Sequence, residues 1–319
     1  MRLAEHPDFA AFLTAAATES ALPETFVEKD YWITEILRTI AMTLGERAIF
    51  KGGTSLSKGW DLLDRFSEDI DLFVDPAAKP PLRNERAINR AMKELNRDVA
   101  AIPGLDFVRA DSQTIGGRGR MDTFRYRSHF PELEGFPPTV RLEPGIQSGK
   151  QPTATVKISS IVGGLLSEQG VADELDIDGT QPFEMTLLHF RRTFVEKLFA
   201  IHGKVEQLKE SDAPLGRDVR HYADLYVLGG RPEVTAMLAS DEYEKIKTDY
   251  DEKSSTFFPR SYRPPPSLRF TTSDALFPSD ELRAAIEPGY EEECRRLFFR
   301  PHPSFAEVLE RFAEIRSLL

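Results

Sequence analysis

Apolar residues recur at helical spacing in some stretches of the chain and at strand spacing in others. Residues 9 to 20 and 26 to 44 read as helices; in the second, Trp32, Ile36 and Ile40 return at every fourth position while Glu28, Lys29, Glu35 and Arg38 are polar. Ala48-Ile49-Phe50 reads as a short buried strand leading into Gly52-Gly53. A helix over 55 to 64 and a strand over 69 to 74 follow. In that strand Ile70, Leu72 and Val74 fill one face, and Asp69 and Asp71 project from the other. The Pro80-Pro81 pair opens a helix at about 83 to 100. Strands are expected near 105–110, 121–129, 138–146 and 153–158, with Gly116-Gly117-Arg118-Gly119-Arg120 as a flexible basic loop.

From about residue 181 the character changes. Long helical patterns cover about 183–208, 217–229, 232–252, 279–298 and 303–318, interrupted by Tyr262-Arg263-Pro264-Pro265-Pro266. The expectation is an α/β (α+β) protein: a mixed-sheet domain over 1–180, then a mainly helical domain over 181–319 that completes a cleft. No internal repeat is evident.

Composition narrows the classes. A chain of 319 residues with 40% apolar and 29% charged content is ordinary for a globular protein. Cys294 is the single cysteine, which excludes a disulfide framework and a cysteine-based zinc site and points to a reducing cytoplasm. The N-terminal residues carry no long apolar run, so neither a signal peptide nor a membrane span is expected. A net charge of −11 argues against a protein that coats nucleic acid nonspecifically, and no DNA partner is expected; an RNA docked on a local basic patch remains compatible.

The most informative chemistry lies between residues 51 and 74. Lys51-Gly52-Gly53-Thr54-Ser55-Leu56-Ser57-Lys58 offers a glycine-hinged turn with backbone N–H groups and hydroxyls. Asp69 and Asp71 follow, about 7 Å apart along one strand face. Hard oxygen donors of this kind, together with substrate phosphates, are what Mg²⁺ prefers. The run lacks the Gly-Lys-Ser/Thr ending of a P-loop. The combination points to metal-assisted nucleotidyl transfer, with Gly53, Thr54, Ser55 and Lys58 at the phosphates of a nucleoside triphosphate (NTP) co-substrate and Mg²⁺ or Mn²⁺ at Asp69 and Asp71.

Gly-Gly-Thr-Ser followed by Asp-x-Asp on an apolar strand resembles the signature of the polymerase-β-like nucleotidyltransferase superfamily. The longer text, from Phe26-Val27-Glu28-Lys29-Asp30-Tyr31-Trp32 through Arg65-Phe66-Ser67-Glu68-Asp69-Ile70-Asp71-Leu72, is similar to the AbiEii/AbiGii toxin family, to which the MenT toxins are also similar. These are nucleotidyltransferase-like toxins of toxin–antitoxin and phage-defence systems. The resemblance implies a tRNA modified at its 3′ acceptor end, arrest of translation, and a cognate antitoxin encoded nearby. It also implies a third acid on a neighbouring strand. In Thr139-Val140-Arg141-Leu142-Glu143, Arg141 and Glu143 share a face, and Glu143 is the candidate; the plainer account is an exposed acid paired with Arg141. Asp75, Asp106 and Asp122 are weaker choices.

Two later words also resemble the family's motifs. Phe194-Val195-Glu196-Lys197-Leu198 and Arg220-His221-Tyr222-Ala223-Asp224-Leu225-Tyr226 imply active-site roles for Lys197 and Asp224. Projecting Leu187 to Ile201 at ~100° per residue places Arg191 within an apolar stripe and Lys197 at its edge. A charge there needs a partner, either a core acid or a triphosphate. For Asp224 the bland alternative is an i,i+4 pair with Arg220.

His189, His202 and His221 lack zinc spacing and read as structural. The cluster Arg118, Arg120, Arg125 and Arg127, with Lys150 and Lys157, is read either as an RNA track or as scattered solvated charge. Ser67 is a candidate phosphorylation switch beside the acids. Two rival functions remain: a nucleotidyltransferase that is not a toxin and modifies a protein or small molecule, and a catalytically idle nucleotide- or antitoxin-binding module.

Overall fold

The structure is a computed structural model that describes every residue except Glu68 and Glu134. Glu68, quoted above within the acidic motif, therefore lies outside the described residues. Two compact units emerge from the packing.

The first comprises Met1–Gly59, Glu68–Ile146 and Thr153–Leu187. Its elements in chain order are α1 (Phe9–Ser20), α2 (Glu24–Leu44), β1 (Ala48–Lys51), α3 (Gly52–Lys58), β2 (Asp69–Val74), α4 (Glu85–Ala100), β3 (Leu105–Phe107), β4 (Gln113–Ile115), β5 (Gly119–Tyr126), β6 (Thr139–Gly145), β7 (Thr153–Ile158), α5 (Ile161–Glu168), α6 (Val171–Glu174) and β8 (Phe183–Leu188). The strands form one mixed sheet in the order β3-β5-β6-β2-β1-β8-β7, with β4 paired to β5. β2 runs antiparallel to β1 and parallel to β6.

Register sorts the two faces of that sheet. Phe50, Leu72, Ile70, Leu142, Val140 and Phe124 are paired across β1, β2, β6 and β5, and all are essentially buried. α2 and α4 pack on these strands, contributing Ile36, Leu37, Ile40, Ile88, Met92, Leu95 and Val99. The opposite face carries the chemistry.

Several expected boundaries move. The helix expected over 55–64 is α3, which starts at Gly52 and stops before Gly59. No helix follows in the described residues up to Ser67. The strand expected over 105–110 stops at Phe107, and the one over 121–129 runs from Gly119 to Tyr126. The helix expected over 183–208 is two elements. β8 lies parallel to β1, with Phe50 opposite Leu187, and the helix begins only at Phe190. His189 separates them in an extended conformation, its Nδ1 accepting from Arg191 N at 3.3 Å. Met185 and Leu187 alternate as a strand requires, whereas Phe183 and Leu187, four apart, would also suit a helix face, and pairing with β1 decides.

The second unit comprises Trp60–Ser67, Gln147–Pro152 and Leu188–Leu319. Its helices are α7 (Phe190–Ser211), α8 (Arg220–Gly229), α9 (Pro232–Leu238), α10 (Asp241–Phe257), α11 (Asp280–Leu297) and α12 (Phe305–Ile315). The single helix expected over 232–252 is broken at Ser240, whose hydroxyl accepts from Glu242 N at 3.3 Å and caps α10. α8 packs against α7, α11 and α12, with Tyr222 edge-on to Phe305 at 5.0 Å. Among the described residues no helix is long and apolar enough to cross a membrane.

Candidate active site

Three acids meet on the open face of the sheet. Asp71 of β2 stands opposite Lys51 of β1 and opposite Glu143 of β6, which makes one transverse row. Asp69 lies in the next row, opposite Arg141, which is itself opposite Thr123 of β5. Directly paired residues share a face with side chains about 5 Å apart, so β2 and β6 hold Asp69, Asp71 and Glu143 in one neighbourhood. Burial raises the Glu143 carboxyl to about 7; Asp71 and then Asp69 add to the rise, opposed by Arg141 and Lys51. The Arg141 guanidinium bridges the group, Nε 3.7 Å from Asp69 Oδ1 and Nη1 3.8 Å from Glu143 Oε1. Those are ion-pair rather than hydrogen-bond distances. The plainer account of Glu143, an acid paired with Arg141, is thus present together with the clustered one.

The donor chemistry fits a hard divalent cation: three carboxylates, partly desolvated, with mutual repulsion that a cation relieves. Among the described residues no three acid, imidazole or thiol groups stand close enough to form a closed cage, so the acids would have to draw together around an ion. Arg141, as internal counter-charge, occupies the neighbourhood that such an ion would neutralise.

The glycine turn abuts this row. Gly52 has φ +77°, and a Cβ there would sit 1.9 Å from Asp71 Oδ2. Only glycine lets the backbone approach the carboxylate this closely and take that conformation. Thr54 and Ser55 are buried: Thr54 Oγ1 donates to the carbonyl of Asp69, and Ser55 Oγ donates to Gly52 O at 2.9 Å. These hydroxyls bind the turn to β2 and to itself, leaving only their lone pairs for other use. Gly53 lies in the first turn of α3. Lys58 departs from its expected place. Its ammonium is buried, donates to Asp30 Oδ1 at ion-pair range and to Ser159 O at 2.6 Å, and burial lowers its pKa against the pull of Asp30. Asp30 Oδ2 also accepts from Ile161 N at 2.7 Å, so Lys58 joins α3, α2 and the start of α5.

A cavity of about 340 Å³ opens over β5 and β6, lined by Asp69, Asp111, Thr123, Arg125, Thr139 and Arg141 among others. The glycine turn follows β1, on the other side of β2. The weaker acids fall elsewhere. Asp122 points to the helix-covered face and accepts a two-pronged contact from Arg120 (2.8 and 2.9 Å); Asp75 Oδ1 caps a turn at Ala77 N, 3.0 Å away; Asp106 is exposed on β3. The expected basic cluster therefore divides: Arg120 is internal, Arg118 lies 3.5 Å from Glu85, Arg125 lines the cavity, and Arg127 and Lys157 are exposed. Lys150 belongs to the second unit.

Within the second unit Lys197 and Asp224 are partners. Lys197 Nζ is 2.7 Å from Asp224 Oδ2 and 3.0 Å from His221 Nδ1. Arg65, which sequence reasoning passed over, donates to both carboxylate oxygens at 2.6 and 2.7 Å. Burial alone would raise the Asp224 carboxyl, but Arg65 and then Lys197 hold it well below the usual carboxylate range. Burial lowers Lys197, opposed by Asp224 and assisted by Arg65. Asp224 is thus no i,i+4 surface acid but the hub of a buried network. Arg191 is half-buried and pairs with Glu242 at 3.2 Å; the buried arginine of α7 is its neighbour Arg192, held by Glu196 (2.9 Å) and Asp249 (2.6 Å). α7 is covered on more than one face, so lying outside the apolar stripe does not leave Arg192 exposed. His202 meets Ser273 at 2.8 Å, as a structural histidine should, whereas His221 is part of the ionic network. Ser67 is buried, so a kinase could reach it only after local opening.

A mixed sheet with a glycine turn after one strand and alternating acids on the next, completed by a third acid on a parallel neighbour, defines a nucleotidyltransferase-type α/β fold. The chain belongs to the AbiEii nucleotidyl transferase toxin family of type IV toxin–antitoxin systems, whose family model matches residues 35–311. Its class is accordingly that of a toxin–antitoxin nucleotidyltransferase, with a cognate antitoxin as partner. No curated protein matches the chain.

Proposed function

We propose that the protein transfers a nucleoside monophosphate from an NTP to a hydroxyl at the 3′ acceptor end of tRNA, so that translation stops. The observation that carries this reading is the register of Asp71 with Glu143, one pleat from Asp69 and against the Gly52 turn. The acceptor oxygen forms a bond to the α-phosphorus, and the bond to pyrophosphate breaks. Mg²⁺ or Mn²⁺, when bound, supplies charge neutralisation at the phosphates and a lowered pKa for the acceptor hydroxyl.

This chain's residues have separable tasks. Asp69, Asp71 and Glu143 supply the oxygen donors. Gly52 and Gly53 let the phosphates approach the backbone, with Thr54 and Ser55 holding the turn to β2. Arg141, already poised between two of the acids, turns to phosphate oxygen once the acids are otherwise neutralised. The cavity over β5 and β6 receives the acceptor end, on the side of β2 away from the turn. Lys197 and Asp224 enter through motif resemblance, and their ion pair makes them one unit. Arg191 and Lys58, each held by an acid, contribute to nucleotide binding only if those pairs open.

Incubation of the protein with α-³²P-NTP, Mg²⁺ and total tRNA should label the RNA, and Asp69→Ala or Asp71→Ala should abolish the label. Label appearing on protein or small acceptors instead would favour the non-toxin reading. Nucleotide binding without any transfer would favour the idle module.

A further inference from the structure

α4 presents a face that the proposed chemistry does not use. Its apolar residues Ile88, Met92, Leu95 and Val99 are buried, which fixes the opposite side outward. Along that side Arg86, Arg90, Lys93 and Arg97 recur at steps of four, three and four, so they form a single ridge about 16 Å long at 1.5 Å rise per residue. Together with Asn89 and Glu94 they line a shallow groove of about 450 Å³. Arg97 pairs with Asp98 at 2.9 Å; among the described residues Arg86, Arg90 and Lys93 have no ion pair at all. In a chain of net charge −11 such a run of uncompensated cations is a local reversal of sign.

We propose that this ridge docks the phosphate backbone of the acceptor RNA, away from its reacting end. The assignment rests on an RNA acceptor, as proposed above. Two features favour a polynucleotide over an acidic protein. The groove lining contains no apolar residue, whereas a protein interface has an apolar or aromatic core. The cations are also evenly spaced along one line, which suits a repeating row of phosphates, contacts that position a nucleic acid without reading its sequence. The ridge also connects with the open face of the sheet. α4 packs on β3 and β5, and at its first residue Glu85 lies 3.5 Å from Arg118 of the loop between β4 and β5. An RNA whose end lies in the cavity beside Arg125 would pass that loop and meet α4 around the sheet edge.

The test is equilibrium binding of fluorescein-labelled unfractionated tRNA to the full chain without NTP, read by anisotropy from 50 to 300 mM salt. The variants are Arg86→Ala/Arg90→Ala/Lys93→Ala and a control of equal charge change, Lys245→Ala/Arg260→Ala/Arg295→Ala, at exposed positions of the second unit. Thermal melting checks that both remain folded. Loss of three phosphate contacts should flatten the slope of log K against log salt by about 2 to 3 and weaken binding roughly 10- to 100-fold at 0.1 M salt. The control should match wild type, and the KM for NTP should not move in either. An unchanged slope, an equal loss in the control, or wild-type protein that binds no tRNA overturns the proposal. So does a ridge variant that binds tRNA normally but no longer responds to the antitoxin, since that would make the ridge a protein surface. Failure of the proposed reaction itself is read separately, from label transfer by the wild type.

Discussion

Asp224 receives both donor arms of Arg65, at 2.6 and 2.7 Å, in a place where neither side chain meets solvent. Residues 159 positions apart thus share one desolvated carboxylate, with Lys197 as a second cation. Removing the acid strands two buried positive charges. Asp224→Ala should therefore cost about 3–5 kcal/mol in chemical denaturation, the usual scale for breaking a buried pair. The double variant Arg65→Met/Asp224→Ala should recover part of that loss when set beside the singles Arg65→Met and Asp224→Ala. Denaturation midpoints of the two singles and the double give the coupling, and purely additive losses would show that the pair acts independently.

Gly52→Ala isolates the turn from the acids. The added methyl would lie 1.9 Å from Asp71 Oδ2, and the residue would keep φ +77° only at a strain of about 1–2 kcal/mol. Nucleotidyl transfer should fall by at least ~10²-fold, the scale of one misplaced stabilising group, while the melting temperature falls only a few degrees. Steady-state kinetics with a melting curve on the same sample decide this.

Glu143→Gln keeps the shape of the third acid and removes its charge. Transfer should drop by roughly 10²–10³-fold. Stability should hold or rise, because a carboxyl pushed up to about 7 by burial and by Asp71 and Asp69 is a source of repulsion in the fold. A variant of full activity would leave Glu143 as the surface partner of Arg141.

The helical unit should weaken in mild acid. Burial and the neighbouring Lys197 hold His221 down to about 4; burial and Arg191 do the same for His189, and burial lowers His202 as well. The unfolded chain takes up protons on these rings near pH 6.5, whereas in the folded chain His221 and His189 resist until about 4 and His202 also titrates lower. Unfolding therefore gains protons across that window, and stability falls as pH drops from 6.5 towards 4. Asp224 acts lower down: its folded pKa is depressed, so its contribution is complete above the ordinary aspartate value and fades only below it. Melting temperatures from pH 7.5 to 4.5 should decline, and His221→Gln should flatten the curve.

Much of the sheet domain was legible because its signals are local. Alternation over 69–74 set the faces of β2, and the glycine pair marked the turn; the same alternation put Arg141 and Glu143 on one side of β6. What escaped was fixed by partners remote in the sequence. Nothing near Arg65 distinguishes it from a solvated arginine, since its acid lies on α8. β8 reads equally well as a helix start until β1 is there to pair with it. The burial of Arg192 likewise depends on a remote acid, Asp249 of α10. The break at Ser240 did carry a local signal, a serine ahead of Asp241 and Glu242, the usual mark of a helix N-terminus.

The parallel pairing of β2 with β6 has a bearing on biosynthesis. Parallel neighbours need a long crossover, and here the whole run from α4 to β5 is threaded between the two strands that carry the acids. A growing polypeptide that has emerged only as far as β5 carries Asp69 and Asp71 and lacks Glu143. Such non-local closure is slow compared with helix formation. The row of acids is thus closed last by β6, the final strand of β1, β2 and β6 to leave the ribosome.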